Sequence, residues 1–162
     1  MGQELILLYR KLIGCSIEFI ADEIATTVKP VLSQSPTISY RIKSQDTLAK
    51  KMILVKTESI IDIDDVYAFR ILVSSANEAY LVLKALTKSF RGFLDHDYIA
   101  NPKTRPDKPH LDGKSLKLLQ FIAYKNNVPF EIQITTFEWN ESNELLHDEY
   151  HREKYPIIDH SD

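Results

Sequence analysis

Two carboxylates lie beside apolar segments that have the composition of β-strands. Asp65 directly precedes the apolar run 66–73, and Glu131 lies within the later segment 130–134. Both segments are rich in β-branched and aromatic residues. Acids carried by two separate strands can converge on one divalent cation, and carboxylate oxygens suit Mg²⁺ bound together with nucleotide phosphates. The pair therefore indicates a site that moves a phosphoryl or pyrophosphoryl group.

Each acid also has a simpler interpretation. Asp65 ends the acidic stretch 62–65, which could be a polar turn, and Arg70 follows at an odd separation that puts the two on opposite faces of a regular strand. Glu131 shares a strand face with Gln133, and alternation alone would make that face exposed. The spacing by itself does not decide between a site and a solvated surface.

A basic segment precedes the first acid. Arg41 and Lys43 lie two apart on a predicted strand and share a face, while Thr47 and Lys51 lie four apart on the following helix and also share a face. Together they could present three cations and a hydroxyl to a triphosphate. A solvated basic face is the alternative interpretation.

A proline-containing segment, 101–113, is predicted to be a long loop, and loops of that length in small domains are often functional. Five cations in and after it could bind an anionic ligand or keep a surface loop soluble: Lys103, Arg105, Lys108, Lys114 and Lys117. The sequence has neither a P-loop nor a Rossmann glycine fingerprint.

Hydrophobic periodicity places these groups on an alternation of helices and strands. Helices are predicted over 4–27, 44–52, 76–90 and 136–153, and strands over 38–43, 66–73, 115–124 and 129–135, the last two joined at Asn126-Asn127. Ile38, Tyr40 and Ile42 would face the core. The pattern predicts an α+β fold with a mixed sheet of about four to five strands flanked by helices. We expect one domain over 1–162, with an N-terminal helix in 1–35 and a core over 38–155.

Composition limits the function classes. The 162 residues are 44% hydrophobic and 27% charged with a net charge of -3, so bulk charge gives no reason to expect non-specific binding to nucleic acid or acidic membranes. One cysteine, Cys15, no apparent signal peptide and no apolar stretch of spanning length predict a cytoplasmic protein. The apolar N-terminal helix could pack inside the domain or join copies in a homo-oligomer.

Taken in order, five motifs resemble the synthetase domain of the RelA/SpoT family, which makes the alarmone (p)ppGpp. The resemblance extends from about residue 40 to residue 155. The motifs are Arg41-x-Lys43-Ser44-x-x-Thr47-x-x-x-Lys51, Asp65-Val66-Tyr67-Ala68-Phe69-Arg70, Asp97-Tyr98-Ile99-Ala100-Asn101-Pro102-Lys103, Gly113-x-Ser115-Leu116 and Glu131-Ile132-Gln133-Ile134-x-Thr136, with His147 in the following helix.

The resemblance implies a nucleotidyltransferase-like fold and an ATP-dependent GTP pyrophosphokinase, which transfers pyrophosphate to the 3′-hydroxyl of a guanine nucleotide. Arg41 would stack on adenine, with Lys43, Thr47 and Lys51 at the ATP phosphates. Asp65 would hold Mg²⁺, while Glu131 would assist with the metal or accept the proton of the attacking hydroxyl. The expected acceptor or phosphate contacts are Arg70, Lys103, Lys114, Ser115, Gln133 and His147.

Three positions depart from the family pattern. Lys114 replaces a tyrosine that stacks on guanine, Lys117 replaces a histidine, and Thr135 replaces an arginine. Two alternatives therefore remain beside a guanine acceptor. One is the same transfer to an adenine nucleotide or the 3′ end of tRNA, and the other is a nucleotide-binding module without turnover.

Overall fold

The computed structural model describes residues 2–104, 115–141 and 143. Four helices are α1 (Gly2–Ile13), α2 (Ile17–Val28), α3 (Gln45–Leu54) and α4 (Ala76–Ser89), and short 3-10 turns occupy Lys29–Val31 and Ile60–Asp62. The strands are β1 (Thr37–Ile42), β2 (Tyr67–Val73), β3 (Arg91–Asp97), β4 (Lys103–Thr104), β5 (Ser115–Leu116), β6 (Leu119–Lys125) and β7 (Val128–Thr136).

The main sheet has five strands in the order β1-β2-β7-β6-β3. β2 and β7 run parallel, and the other neighbouring pairs run antiparallel. β4 and β5 form a separate two-stranded ribbon. The prediction of an α+β fold with a mixed sheet flanked by helices is confirmed.

The two faces of this sheet differ in character because side chains alternate along each strand. One face carries the core, where the rings of Phe69 on β2 and Phe130 on β7 lie with their centroids 5.7 Å apart. Phe90, which follows α4, also packs on Phe130, with ring centroids 5.8 Å apart. Residues of α1, α2 and α4 join the same buried cluster. The opposite face carries Arg70, Glu131 and their polar neighbours, so α1, α2 and α4 leave this face available for a site.

The predicted N-terminal helix over 4–27 is wrong in one respect, because it is two helices. Gly14 adopts a φ of +82°, which favours glycine, and its added Cβ would lie 2.8 Å from the side chain of Asn126. Ser16 then caps α2 by accepting a hydrogen bond from the backbone N–H of Phe19.

Two sheet edges also depart from expectation. β3 was not predicted, since its side chains are mostly exposed and show no apolar alternation, yet it pairs with β6 through a register shift between Leu94 and His96. On β1, Tyr40 and Ile42 were expected to face the core but are 44% and 45% exposed. β1 is the other edge strand, and only Ile38 is partly buried against the core.

The predicted hairpin is confirmed between β6 and β7, but the predicted strand over 115–124 is wrong at its start, because residues 115–116 form β5 in the separate ribbon with β4. Asn126 and Asn127 adopt φ values of 53° and 65°, the left-handed region that asparagine tolerates. Residues 137–141 begin the predicted last helix, whose remainder lies outside the described residues. Within the part of the chain that the structure describes, no helix is both long and apolar enough to cross a membrane.

Candidate functional site

Asp65 forms two ion pairs with lysines from the basic segment. Its Oδ2 lies 3.0 Å from the Nζ of Lys43, and its Oδ1 lies 2.7 Å from the Nζ of Lys51. The pairing follows from local structure: the backbone N–H of Lys43 donates to the carbonyl of Val66, which holds the end of β1 beside the start of β2. Ser44, the next residue, caps the N-terminus of α3. Lys51 therefore lies on a helix that begins beside Asp65, and its side chain reaches that carboxylate. The basic segment and the acid therefore lie together in the structure.

This cluster is largely shielded from water. The side chains of Lys43, Asp65 and Lys51 are 10%, 16% and 20% exposed. Burial alone would raise the pKa of Asp65, but the two ammonium groups outweigh it and hold the pKa below its usual value. Burial lowers the pKa of Lys43, and Asp65 only partly offsets that effect. Asp65 is thus held ionised at neutral pH, with two cations on its oxygens.

Glu131 lies on the adjacent strand and is buried, with 7% of its surface exposed. The parallel register places it opposite Ala68 on β2. Its Oε2 accepts a hydrogen bond from Gln120 Nε2 at 2.7 Å, and its Oε1 accepts one from Gln133 Nε2 at 3.2 Å. Burial, with the charge of Asp65 as the next cause, raises the pKa of Glu131 to about 7. The exposed-surface interpretation of Glu131 is excluded.

Arg70 ties this face of the sheet to the last helix. Its Nε donates to Gln133 Oε1 at 3.1 Å, and its Nη1 donates to Asn140 Oδ1 at 3.1 Å. Arg70 and Gln133 were expected at the acceptor or its phosphates. In the structure they lie beside Glu131 and form one continuous hydrogen-bonded chain with it.

A cleft of about 270 Å³ opens on the polar face of the sheet. It brings together four predicted site residues, Arg41, Arg70, Glu131 and Gln133. The lining is Ser39, Tyr40, Arg41, Ala68, Phe69, Arg70, Glu131 and Gln133. Asp65 is close enough for its charge to raise the pKa of Glu131, which links the ion-paired cluster to the cleft electrostatically.

The remaining predicted residues fall into two groups. The hydroxyl of Thr47 accepts a hydrogen bond from the Ser44 hydroxyl at 2.8 Å, so it takes part in the cap of α3. Lys103 lies in β4 opposite Leu116, and Ser115 pairs with Thr104 through the backbone. Lys114 and His147 lie outside the described residues, as does most of the predicted loop.

Thr135, which stands in place of the family arginine, is completely buried. Its hydroxyl donates to the carbonyl of Lys117 at 2.7 Å, and Asn143 Nδ2 donates to both of these oxygens, at 2.9 Å to the hydroxyl and 3.1 Å to the carbonyl. Asn143 Oδ1 in turn accepts from the backbone N–H of Lys117 at 2.9 Å. The ammonium of Lys117 lies 5.4 Å from the ring centre of Trp139. Thr135 thus fixes the start of β6 and adds no cation to the site.

Sequence reasoning missed three residues of these networks, namely Gln120, Asn140 and Asn143. Gln120 carries a detectable signal, because it is the polar residue in an otherwise apolar stretch, 118–123. The two asparagines lie in a helix of mixed composition and carry no comparable signal.

The carboxylates offer a limited set of metal ligands. Among the described residues, no group of three or more His, Cys, Asp or Glu side chains is arranged to hold a metal ion. Asp65 and Glu131 supply hard oxygens, and Mg²⁺ commonly takes only one or two carboxylates with the rest from phosphates and water. The donor set therefore fits Mg²⁺ delivered with a nucleotide better than a resident ion.

The sequence and the fold both identify the class of protein. Residues 40–155 match the family described as a region found in RelA / SpoT proteins, and the chain belongs to that family. The resemblance inferred from the motifs is confirmed. A comparison with curated proteins gave no match.

Solved structures of small alarmone synthetases share the fold. The chain is similar to small alarmone synthetase 1 from Bacillus subtilis bound to its product pppGpp, with 18% identity, a TM-score of 0.66, and coverage of 96% of this chain and 82% of that chain. Small alarmone synthetase 2 from the same organism has 21% identity and a TM-score of 0.64 over 94% and 82% of the two chains. The AMPCPP-bound form of synthetase 1 has 14% identity and a TM-score of 0.57 over 96% and 80%. At these identities the likeness establishes the fold.

Proposed function

We propose that this chain is an ATP-dependent pyrophosphokinase that transfers pyrophosphate to the 3′-hydroxyl of a guanine nucleotide, as in (p)ppGpp synthesis. The observation that carries the proposal is the juxtaposition of Lys43, Lys51 and Asp65 with the buried Glu131. Family membership supports a pyrophosphokinase-type enzyme. Relatives of the same fold have been solved with pppGpp and with AMPCPP, which supports nucleotides as substrates here.

The transfer requires one bond to form and one to break. The acceptor 3′-hydroxyl oxygen attacks the β-phosphorus of ATP, the bond from that phosphorus to the α–β bridging oxygen breaks, and AMP leaves with the oxygen. The hydroxyl proton passes to the carboxylate of Glu131. A base whose pKa lies near 7 is well matched to this task at neutral pH.

The basic groups have complementary roles. When ATP binds, Lys43 and Lys51 leave Asp65 and bind the phosphates of ATP. Arg41 lines the cleft, where it stacks on the adenine. Such transfers depend chiefly on positioning and charge neutralisation. Asp65 and Glu131 are the residues that would hold Mg²⁺, and the ion would supply further neutralisation of the developing charge.

A different acceptor is the second candidate, and one observation favours it. Thr135 is buried and bonded to Lys117, so the cation that the family pattern places there is absent from the site. The same transfer to an adenine nucleotide or the 3′ end of tRNA keeps the donor side unchanged.

The first experiment is an acceptor screen. Protein is incubated with Mg²⁺ and ATP labelled in the β- and γ-phosphates, together with GDP, GTP, ATP or tRNA, and the species that gains label is identified. We expect guanine nucleotides to gain it. Label on another acceptor would replace the guanine assignment, and binding of ATP without label transfer to any of them would favour the binding module.

The carboxylates are tested by two variants with matched controls. Asp65→Asn and Glu131→Gln should each lower transfer at least about a hundredfold, because each removes a charge needed at the reacting groups. The controls Asp22→Asn and Glu58→Gln make the same chemical changes at exposed acids, and both variants should transfer pyrophosphate at the normal rate. Circular dichroism checks that all four remain folded, and undiminished transfer in either site variant would contradict that residue's role.

A further inference from the structure

The side-chain amide of Gln120 lies closer to the carboxylate of Glu131 than that of Gln133 does. Gln120 lies on β6 directly opposite Gln133 on β7, with Glu131 as its diagonal neighbour on the same face of the sheet. Its Nε2 donates to Glu131 Oε2 at 2.7 Å, a length typical of a hydrogen bond to a charged group.

The other oxygen of Glu131 is fixed from the opposite side. Gln133 Oε1 faces Arg70, which can only donate, so the nitrogen of the Gln133 amide must turn toward Glu131. Arg70 is itself bonded to Asn140. Each oxygen of Glu131 thus accepts a hydrogen bond from a side-chain amide, one on its own strand and one on the neighbouring strand. The two bonds together fix the plane and the position of its carboxylate.

We propose that Gln120 is a positioning residue of the transfer reaction, whose amide holds Oε2 of Glu131 so that the carboxylate keeps one orientation toward the attacking hydroxyl. This inference rests on the proposed function of Glu131 as the proton acceptor. With a hydrogen bond to Gln133 alone, the carboxylate would rotate about its last side-chain torsion, because that torsion has a broad energy minimum. Loss of such supporting contacts typically costs about tenfold to a hundredfold in activity.

A purely structural role for the same hydrogen bond makes a different prediction. If Gln120 only satisfied a buried carboxylate, its removal would lower stability and leave the turnover of the folded protein unchanged. A positioning role lowers kcat and leaves substrate binding intact, because Gln120 does not line the cleft in which nucleotides are expected.

The kinetic test compares Gln120→Met, which keeps the length of the side chain and removes the donor, with Gln34→Met, which makes the same change at an exposed position. We expect kcat of Gln120→Met to fall about tenfold to a hundredfold with KM for ATP and for the acceptor within about twofold. Gln34→Met should match the unmodified chain. An unchanged kcat overturns the proposal, and Gln120→Ala carries the same test if methionine disturbs the fold.

A spectroscopic test examines the contact without turnover. The side-chain amide signal of Gln120, assigned by its loss in Gln120→Met, should move in Glu131→Ala and stay in place in Glu58→Ala. A signal that ignores Glu131 overturns the proposal. If the signal moves but the unmodified chain transfers no label, the proposed function fails while the contact itself stands.

Discussion

At the scale of single residues, the site combines two acids in opposite electrostatic states. Asp65 is held ionised by Lys43 and Lys51, whereas burial and the charge of Asp65 keep Glu131 close to its own titration at neutral pH. Acids whose environments push their pKa values apart are suited to different tasks, one to hold charge and one to move a proton. The division of roles in the proposed reaction follows from this difference.

The raised pKa of Glu131 predicts how stability changes with pH. In the unfolded chain the carboxyl ionises near 4.5, and in the folded chain near 7, so the folded state loses stability as pH rises between these values. Glu131→Gln removes this penalty. We expect it to stabilise the protein at pH 8 by up to about 3 kcal/mol, with a smaller gain at pH 5.

Urea unfolding of both forms at the two pH values measures this difference. Glu58→Gln, at an exposed position, should follow the unmodified protein throughout. If Glu131→Gln is less stable than the parent at pH 8, burial of the ionised carboxylate does not destabilise the folded protein, and the prediction is wrong.

At the scale of elements, α4 anchors the turn that follows β3. The hydroxyl of Tyr80 donates to the carboxylate of Asp97, at 2.7 Å and 3.0 Å from its two oxygens, and Oδ1 of Asp97 also accepts from the backbone N–H groups of Ile99 and Ala100. Burial, then Asp97, raises the pKa of Tyr80 to about 12, so the hydroxyl remains a donor at neutral pH. This anchor sets where the chain leaves the sheet toward Lys103.

Tyr80→Phe should loosen that turn. Removing one donor to a charged acceptor that stays partly hydrated should cost about 1 kcal/mol of stability. Hydrogen exchange at the amides of Ile99 and Ala100 should become several times faster. Tyr124→Phe is the matched control, and equal exchange rates in the two variants would show that Asp97 holds the turn without Tyr80.

At the scale of the whole molecule, α1, α2 and α4 pack on one face of the sheet, and the other face carries the site. Tyr9 on α1 is fully buried, lies edge-on to Tyr67 with centroids 4.8 Å apart, and donates to the carbonyl of Pro129 at 2.6 Å. One hydroxyl therefore fastens the N-terminal helix to the central strand β7, at the end that carries Glu131.

Tyr9→Phe tests this attachment. It leaves a buried carbonyl without its donor, which should cost about 1–3 kcal/mol and lower the melting temperature by several degrees. Transfer activity measured well below the transition should be unchanged, because Tyr9 packs on the core side of the sheet. An unchanged melting temperature would contradict the attachment, and lost activity in a folded variant would mean that the two faces are coupled.

The amino-acid sequence by itself determined the features that depend on local order. Asn126-Asn127 closes a hairpin, and the motif order from Arg41 to Glu131 indicates the chemistry, because each needs only neighbouring residues or their types. The tertiary structure alone decided the rest. The burial of Glu131 and its contact with Gln120 arise where β7 lies between β2 and β6, and the exposure of Tyr40 and Ile42 arises because β1 is an edge. These properties depend on strand pairing between distant segments, which residue spacing does not specify.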